Sequence, residues 1–221
     1  MSTLLLRLAA PLQSWGSDSK FERRTTGHEP TKSGVIGMLA AALGRRRDDP
    51  IDDLSMLKFG VRIDKPGKII VDFHTARRLK KIVPGVSLHE LYTPKNIDRT
   101  YVTRRYYLED AEFLVGLEGD AEHLKILDAA VNAPFFPLFL GRRSCPPTGR
   151  ISLGLKDLSL RRALMDEPGK SLSYSFVFDT DNVSVARQRD VPIGFSQRHR
   201  KFAYRYVEHK TMHDAFREVE E

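Results

Sequence analysis

An α+β fold is predicted by short apolar runs of strand length, by amphipathic stretches at helical spacing between them, and by Pro- and Gly-marked breaks. With 221 residues, 41% of them hydrophobic, the chain can bury a substantial core. The first strand is Thr3 to Ala9, where Leu4, Leu5, Leu6 and Leu8 form an apolar run ended by Pro11, which cannot donate to a central ladder. A polar loop extends to about Pro30. Val35, Ile36, Leu39 and Leu43 then recur at helical spacing, with Thr31 or Ser33 as N-cap and Gly44 as the stop, so a helix is expected over Ser33 to Leu43. A short helix is expected at Asp52 to Leu57. Phe59 to Ile63 and Lys68 to Phe73 read as the arms of a hairpin about Lys65-Pro66-Gly67.

From His74 to about Arg99 the apolar period is lost, Pro84-Gly85 and Pro94 interrupt the chain, and basic residues accumulate, which predicts a projecting arm. Thr100 to Leu108 alternates aromatic and basic residues, and Glu112 to Leu117 is a second strand beside it. Ala121 to Val131, carrying Leu124, Ile126, Leu127 and Val131, is an amphipathic helix, and Phe135 to Leu140 an apolar strand. This order fits a βαββαβ ferredoxin-like sheet, the RRM-like framework of RNA-recognition domains. It is expected to occupy residues 1–149, with the arm at about 77–105. Residues 150–221 hold a short helix near Leu158 to Met165 and strands at Leu172 to Phe178 and Phe202 to Val207, read as a smaller C-terminal lobe.

Lys and Arg number 36 against 29 for Asp and Glu, and the resulting net charge of +7 favours a polyanionic partner through steering and counterion release. The lone Cys145 excludes an internal disulfide framework and a multi-cysteine zinc cluster. The apolar start at Met1 to Ala10 is too short for a secretory signal, and no apolar run approaches the ~20 residues of a membrane helix. A cytoplasmic protein with no membrane partner is expected.

Gly27-His28-Glu29-Pro30-Thr31-Lys32-Ser33 imitates a phosphate loop but has Thr31 where the glycine before the lysine is required, which argues against nucleotide hydrolysis. Lys32, Ser33 and the free N–H groups of the following helix suit either an RNA phosphate or a plain capped helix. His209 and His213 lie four apart without a third ligand, so neither a metal nor another cofactor is expected. Among the histidines, His74, at a strand end before Arg77 and Arg78, is the candidate for acid–base work on RNA; an imidazole bonded locally is the alternative. Basic residues cluster at Arg45 to Arg47, Arg77 to Lys81, Arg104-Arg105, Arg142-Arg143 and Arg198 to Lys201. Tyr101, Tyr106 and Tyr107 flank one cluster and Phe202, Tyr204 and Tyr206 follow another, so these rings either stack on bases or face the core.

Three segments, Leu6 to Gly16 (LRLAAPLQSWG), Pro30 to Gly37 (PTKSGVIG) and Leu140 to Pro146 (LGRRSCP), resemble in identity, order and separation the signature segments of the CasD subunit family of type I-E CRISPR Cascade, within the RAMP superfamily. The resemblance covers roughly the first 150 residues. It implies a ferredoxin-like domain with a projecting thumb that caps the assembly and grips the 5′ handle of the crRNA, beside the CasC backbone subunit, the large CasA subunit and other Cascade subunits. It implies that Gln13, Trp15 and Gly16 line the handle site, that Lys32 and Ser33 meet phosphate, and that Arg142, Arg143 and Ser144 hold backbone or bases. His74, Arg77, Arg104 and Arg105 lie on the implied thumb, expected to touch RNA. Because the family delegates cutting to a separate nuclease, no catalysis is expected; the alternative is a metal-independent endoribonuclease acting on repeat RNA.

Overall fold

The computed structural model describes residues 1–16, 22–82, 84–169, 173–196 and 198–215. In chain order the strands are β1 (Ser2–Ala9), β2 (Leu12–Gln13), β3 (Arg23–Arg24), β4 (Lys58–Lys65), β5 (Lys68–Leu79), β6 (Ile97–Glu109), β7 (Glu112–Gly119), β8 (Ser152–Lys156), β9 (Ser175–Thr180), β10 (Ala186–Gly194) and β11 (Lys201–Thr211). The helices are α1 (Lys32–Ala42), α2 (Asp52–Ser55), α3 (Leu88–Leu91), α4 (Ala121–Asn132) and α5 (Leu160–Asp166). They form a mixed α/β protein with antiparallel pairing throughout its larger sheet, whose seven strands run in the order β10-β11-β9-β4-β7-β1-β8. No helix among the described residues is long and apolar enough to cross a membrane.

Both faces of this sheet are covered, which is why Leu4, Leu5 and Leu6 are all fully buried rather than alternating in and out. Leu4 and Leu6 join Phe59, Val61, Phe113 and Val115 beneath α1 and α4, with Ile36, Leu39, Leu124 and Leu127. Leu5 and Leu114 face the other way, under Leu160 and Leu164 of α5. A Cβ on Gly116 would sit 2.6 Å from Leu160, so the bare backbone there lets α5 approach. α1 starts as its sequence dictates: Thr31 caps it by accepting from the Gly34 N–H, and Gly44, at φ 77°, ends it.

A second sheet is built on β6, with β5 along one edge and the short β2 and β3 along the other. The hairpin expected about Lys65-Pro66-Gly67 is therefore corrected. β4 pairs with β7 and β9 in the larger sheet, the chain turns a corner, and β5 leaves to pair with β6. Burial accounts for the split: Phe59 and Val61 are fully buried, whereas Val71 and Phe73 are half exposed or more, Phe73 at 64%. The span expected to be an arm belongs to a long hairpin whose strands run from Lys68 to Leu79 and from Ile97 to Glu109.

Phe135 to Leu140 is not a strand. Phe135 is 73% exposed, and the segment runs irregularly across the C-terminal end of α1, where the Phe135 and Phe136 N–H groups donate to the Ala42 and Ala41 carbonyls. The strand that pairs with the free edge of β1 is β8, beyond Arg150. β9, β11 and β10 then extend the same sheet from β4, so the expected division at 149/150 follows no break in the sheet. β10 had no clear strand signal, because it carries Arg187, Arg189, Asp190 and Pro192. The expected strand start at Leu172 lies outside the described residues; β9 begins at Ser175.

Candidate nucleic-acid interface

The Gln-Ser-Trp and Gly-Arg-Arg segments, far apart in sequence, lock together on β6. Gln13 is fully buried; its Nε2 donates to the Leu8 carbonyl at 3.2 Å and the Ala111 carbonyl at 2.7 Å, and its Oε1 accepts from Trp15 Nε1 at 3.0 Å. Trp15, 1% exposed, packs on α1 so tightly that a Cβ on Gly34 would lie 2.8 Å from its ring. Ser14 donates from its N–H to the Leu140 carbonyl and from Oγ to the Tyr106 carbonyl. Gly141, at φ 83°, lies so close to the Ser14 carbonyl that a Cβ would come within 1.7 Å of its oxygen. Gln13 and Trp15 are thus the footing of this loop pair, and their buried side chains do not line an outer surface. Gly16 is exposed beside them.

Above that footing sits a nook of arginines. Arg142 Nη2 donates to the Arg24 carbonyl at 2.8 Å and the Thr25 carbonyl at 3.4 Å, while its guanidinium stacks 4.7 Å from the centre of the Tyr107 ring. Its Nη1 is buried with no partner, and so is Nε of Arg105, which lies opposite Arg24 in the β3–β6 register. Arg143 and Ser144 are exposed, and the Ser144 hydroxyl lies 3.5 Å from the Tyr107 hydroxyl. Burial raises the Tyr107 phenol, but Ser144 and the Arg142 cation outweigh it and hold the group below its ordinary value. Arg23, opposite Arg104, donates to the Tyr106 hydroxyl at 3.0 Å, which holds its guanidinium above its ordinary value. A groove of about 680 Å³ continues past Arg23 and Arg104 along the arm to Arg99 and Tyr101. Among the described residues no carboxylate forms a salt bridge with Arg23, Arg24, Arg104, Arg105, Arg142 or Arg143. Arg24 and Arg105 on the Tyr107 face, beside Arg142 and Arg143, offer cations and two orphaned buried donors to phosphate oxygens or base edges with Tyr107 as a ring at their floor, whereas Arg23 and Arg104 lie with Tyr106 on the other face.

Lys32 and Ser33 do not join this nook. Lys32 is buried, its Nζ pairs with Asp179 at 3.3 Å, and its backbone N–H donates to Asp190 at 2.8 Å. The N-terminus of α1 thus already holds a carboxylate, and Ser33 Oγ lies 3.5 Å from Thr31 Oγ1. The phosphate role expected of Lys32 meets an ammonium already paired, while Ser33 is half buried and lines a separate groove beside α1. His74 stands further along the arm, on the same face as Arg105 and Tyr107, with Nδ1 3.2 Å from Thr103 Oγ1 and no carboxylate bonded to it among the described residues. Arg77 is exposed on the opposite face, near the arm's tip. Arg23 and Arg24 were missed because they sit in a two-residue strand with no apolar period.

Fold and site together define a mixed α/β protein with a long β-hairpin and, at its base, arginines that form no salt bridge among the described residues. The family model for the CRISPR-associated protein Cas5 matches residues 3–208. The CRISPR system Cascade subunit CasD of Escherichia coli (strain K12) is 37% identical over 208 residues, spanning 87% of this chain and 89% of its own. A solved structure described as a CRISPR RNA-guided surveillance complex contains a chain 31% identical, with a TM-score of 0.78 over 99% of this chain and 100% of that one. The crystal structure of a Cas protein is 38% identical, with a TM-score of 0.74 over 95% and 94%. The chain belongs to the CRISPR-associated Cas5 family.

Proposed function

We propose that this protein is a non-catalytic, cytoplasmic Cascade subunit that grips the 5′ handle of the crRNA through the nook of Arg24, Arg105, Arg142 and Arg143. The observation that carries the reading is the pair of buried guanidinium donors without hydrogen-bond partners among the described residues, at Arg105 Nε and Arg142 Nη1. A bound phosphate or base edge supplies the missing acceptors. The relatives named above make crRNA and the other Cascade subunits, including the backbone and large subunits, the partners of this reading. The order β4-β7-β1-β8, with α1 and α4 as the two crossovers, supports a ferredoxin-like βαββαβ unit at one end of the larger sheet. The arm then serves as the thumb, carrying His74 on the face of the nook and Arg77 and Arg104 on the opposite face.

Labelled repeat RNA incubated with the purified chain in EDTA tests both halves of the reading. Handle-containing RNA is bound in preference to RNA of scrambled handle sequence, and it stays uncut. Cleavage at one repeat position, abolished by His74→Ala with binding retained, would overturn the non-catalytic assignment.

A further inference from the structure

A second group of arginines is left unused by the handle nook. Arg46, Arg47 and Arg200 border a groove of about 350 Å³ that runs beside α1 at Gly37 and Met38 and opens next to Gly141. Its neighbour Arg45 is occupied, clamped on Asp53 through both terminal nitrogens. Among the described residues, however, no carboxylate forms a salt bridge with Arg46, Arg47 or Arg200. Arg200 lies over two rings, 5.2 Å from the centre of Phe202 and 5.9 Å from that of Phe195. Loss of solvent and then the Arg47 cation hold its guanidinium below its ordinary value, the signature of facing cations with no anion between them. Phe195 and Phe139, both half buried, supply flat apolar walls.

We propose that this groove holds one further nucleotide of the RNA whose handle the Arg142 nook binds, with its phosphate between Arg47 and Arg200 and its base against Phe195. The inference rests on the handle-binding reading and extends it across the Gly141 loop, since Gly141 lines the groove and Arg142 begins the nook. Charge selects the class of ligand: cations demand an anion, and flat apolar walls beside them suit a base better than an acidic peptide. The groove's size lies within the range of small-ligand sites.

The full chain, titrated against fluorescent handle RNA over a series of salt concentrations, tests this. The Arg47→Ala/Arg200→Ala double variant loses affinity about 10-fold, and its plot of log affinity against log salt becomes shallower by about 0.7 for the lost phosphate. The Arg47→Lys/Arg200→Lys variant restores the slope, whereas Phe195→Ala weakens binding without changing it. With handle RNAs shortened one nucleotide at a time, the penalty of the double variant disappears once the nucleotide in the groove is gone. Wild-type affinity and slope in the double variant, beside weakened binding by Arg142→Ala, overturn the groove and leave the nook standing. If Arg142→Ala also binds as wild type, the handle reading itself fails. If the double variant keeps RNA binding but no longer co-purifies with other Cascade subunits, the groove is a protein surface and the proposal is wrong.

Discussion

Arg205 and Arg142 carry the same guanidinium in opposite surroundings. Arg205 is buried in the larger sheet, where its Nε and Nη2 donate to Asp190 at 2.6 and 2.9 Å, its Nη1 to Asp179, and its Nη2 also to Gln188. Burial alone would lower its affinity for a proton, but the two carboxylates outweigh burial and hold the group above its ordinary value. Asp190 in turn caps the start of α1 and Asp179 takes Lys32, so the network ties the C-terminal strands to the first helix. Arg142 has two backbone carbonyls, a ring and one idle nitrogen, and no carboxylate among the described residues. The first region is electrostatically complete and serves the fold. The second is left open at a cost in solvation, which an RNA ligand can offset.

The largest effect expected from this contrast is Arg205→Ala, which strands two carboxylates around a buried cavity and lowers stability by roughly 3–5 kcal/mol in a chemical-denaturation experiment. Intact stability would show that water reaches and replaces the network. Trp15→Ala comes next, with about 3–5 kcal/mol lost from packing against α1, read as a lower melting temperature accompanied by weaker RNA binding. Weaker RNA binding at an unchanged melt would instead make the ring a stacking surface. Arg142→Ala reverses the pattern: the melt shifts little, while handle affinity falls by about 1–3 kcal/mol in a filter-binding assay if a base is read through the fork. Arg143→Ala, exposed and without a ring beneath it, produces a smaller loss that fades as salt rises. An equal loss at all salt concentrations would mean that Arg143 also reads a base.

Local signals proved most legible where a single segment decides the outcome. The limits of α1 follow to within a residue from the two cap candidates Thr31 and Ser33 and from Gly44, and α4 follows from its apolar stripe. The Leu140 to Pro146 segment stood out through the family resemblance, and its Arg142-Arg143 pair as a basic cluster. Its partnership with Ser14, Arg24 and Tyr107 did not, because they reach it only through strand pairing and close backbone approach.

The amino-acid sequence by itself determined the alternation of strands and helices, the basic balance, the positions of the arginine clusters and the family resemblance, since each depends on neighbours within a few residues. Only the tertiary structure decided which cations are free. Lys32 suited either a phosphate or a plain capped helix, and Asp179 and Asp190, on β9 and β10, lie against it; Gln13 and Trp15, which the resemblance puts in the handle site, are buried under β6 and α1. Charge pairing and burial are properties of contacts across the chain, and a contact at such separation leaves no periodic mark in either segment.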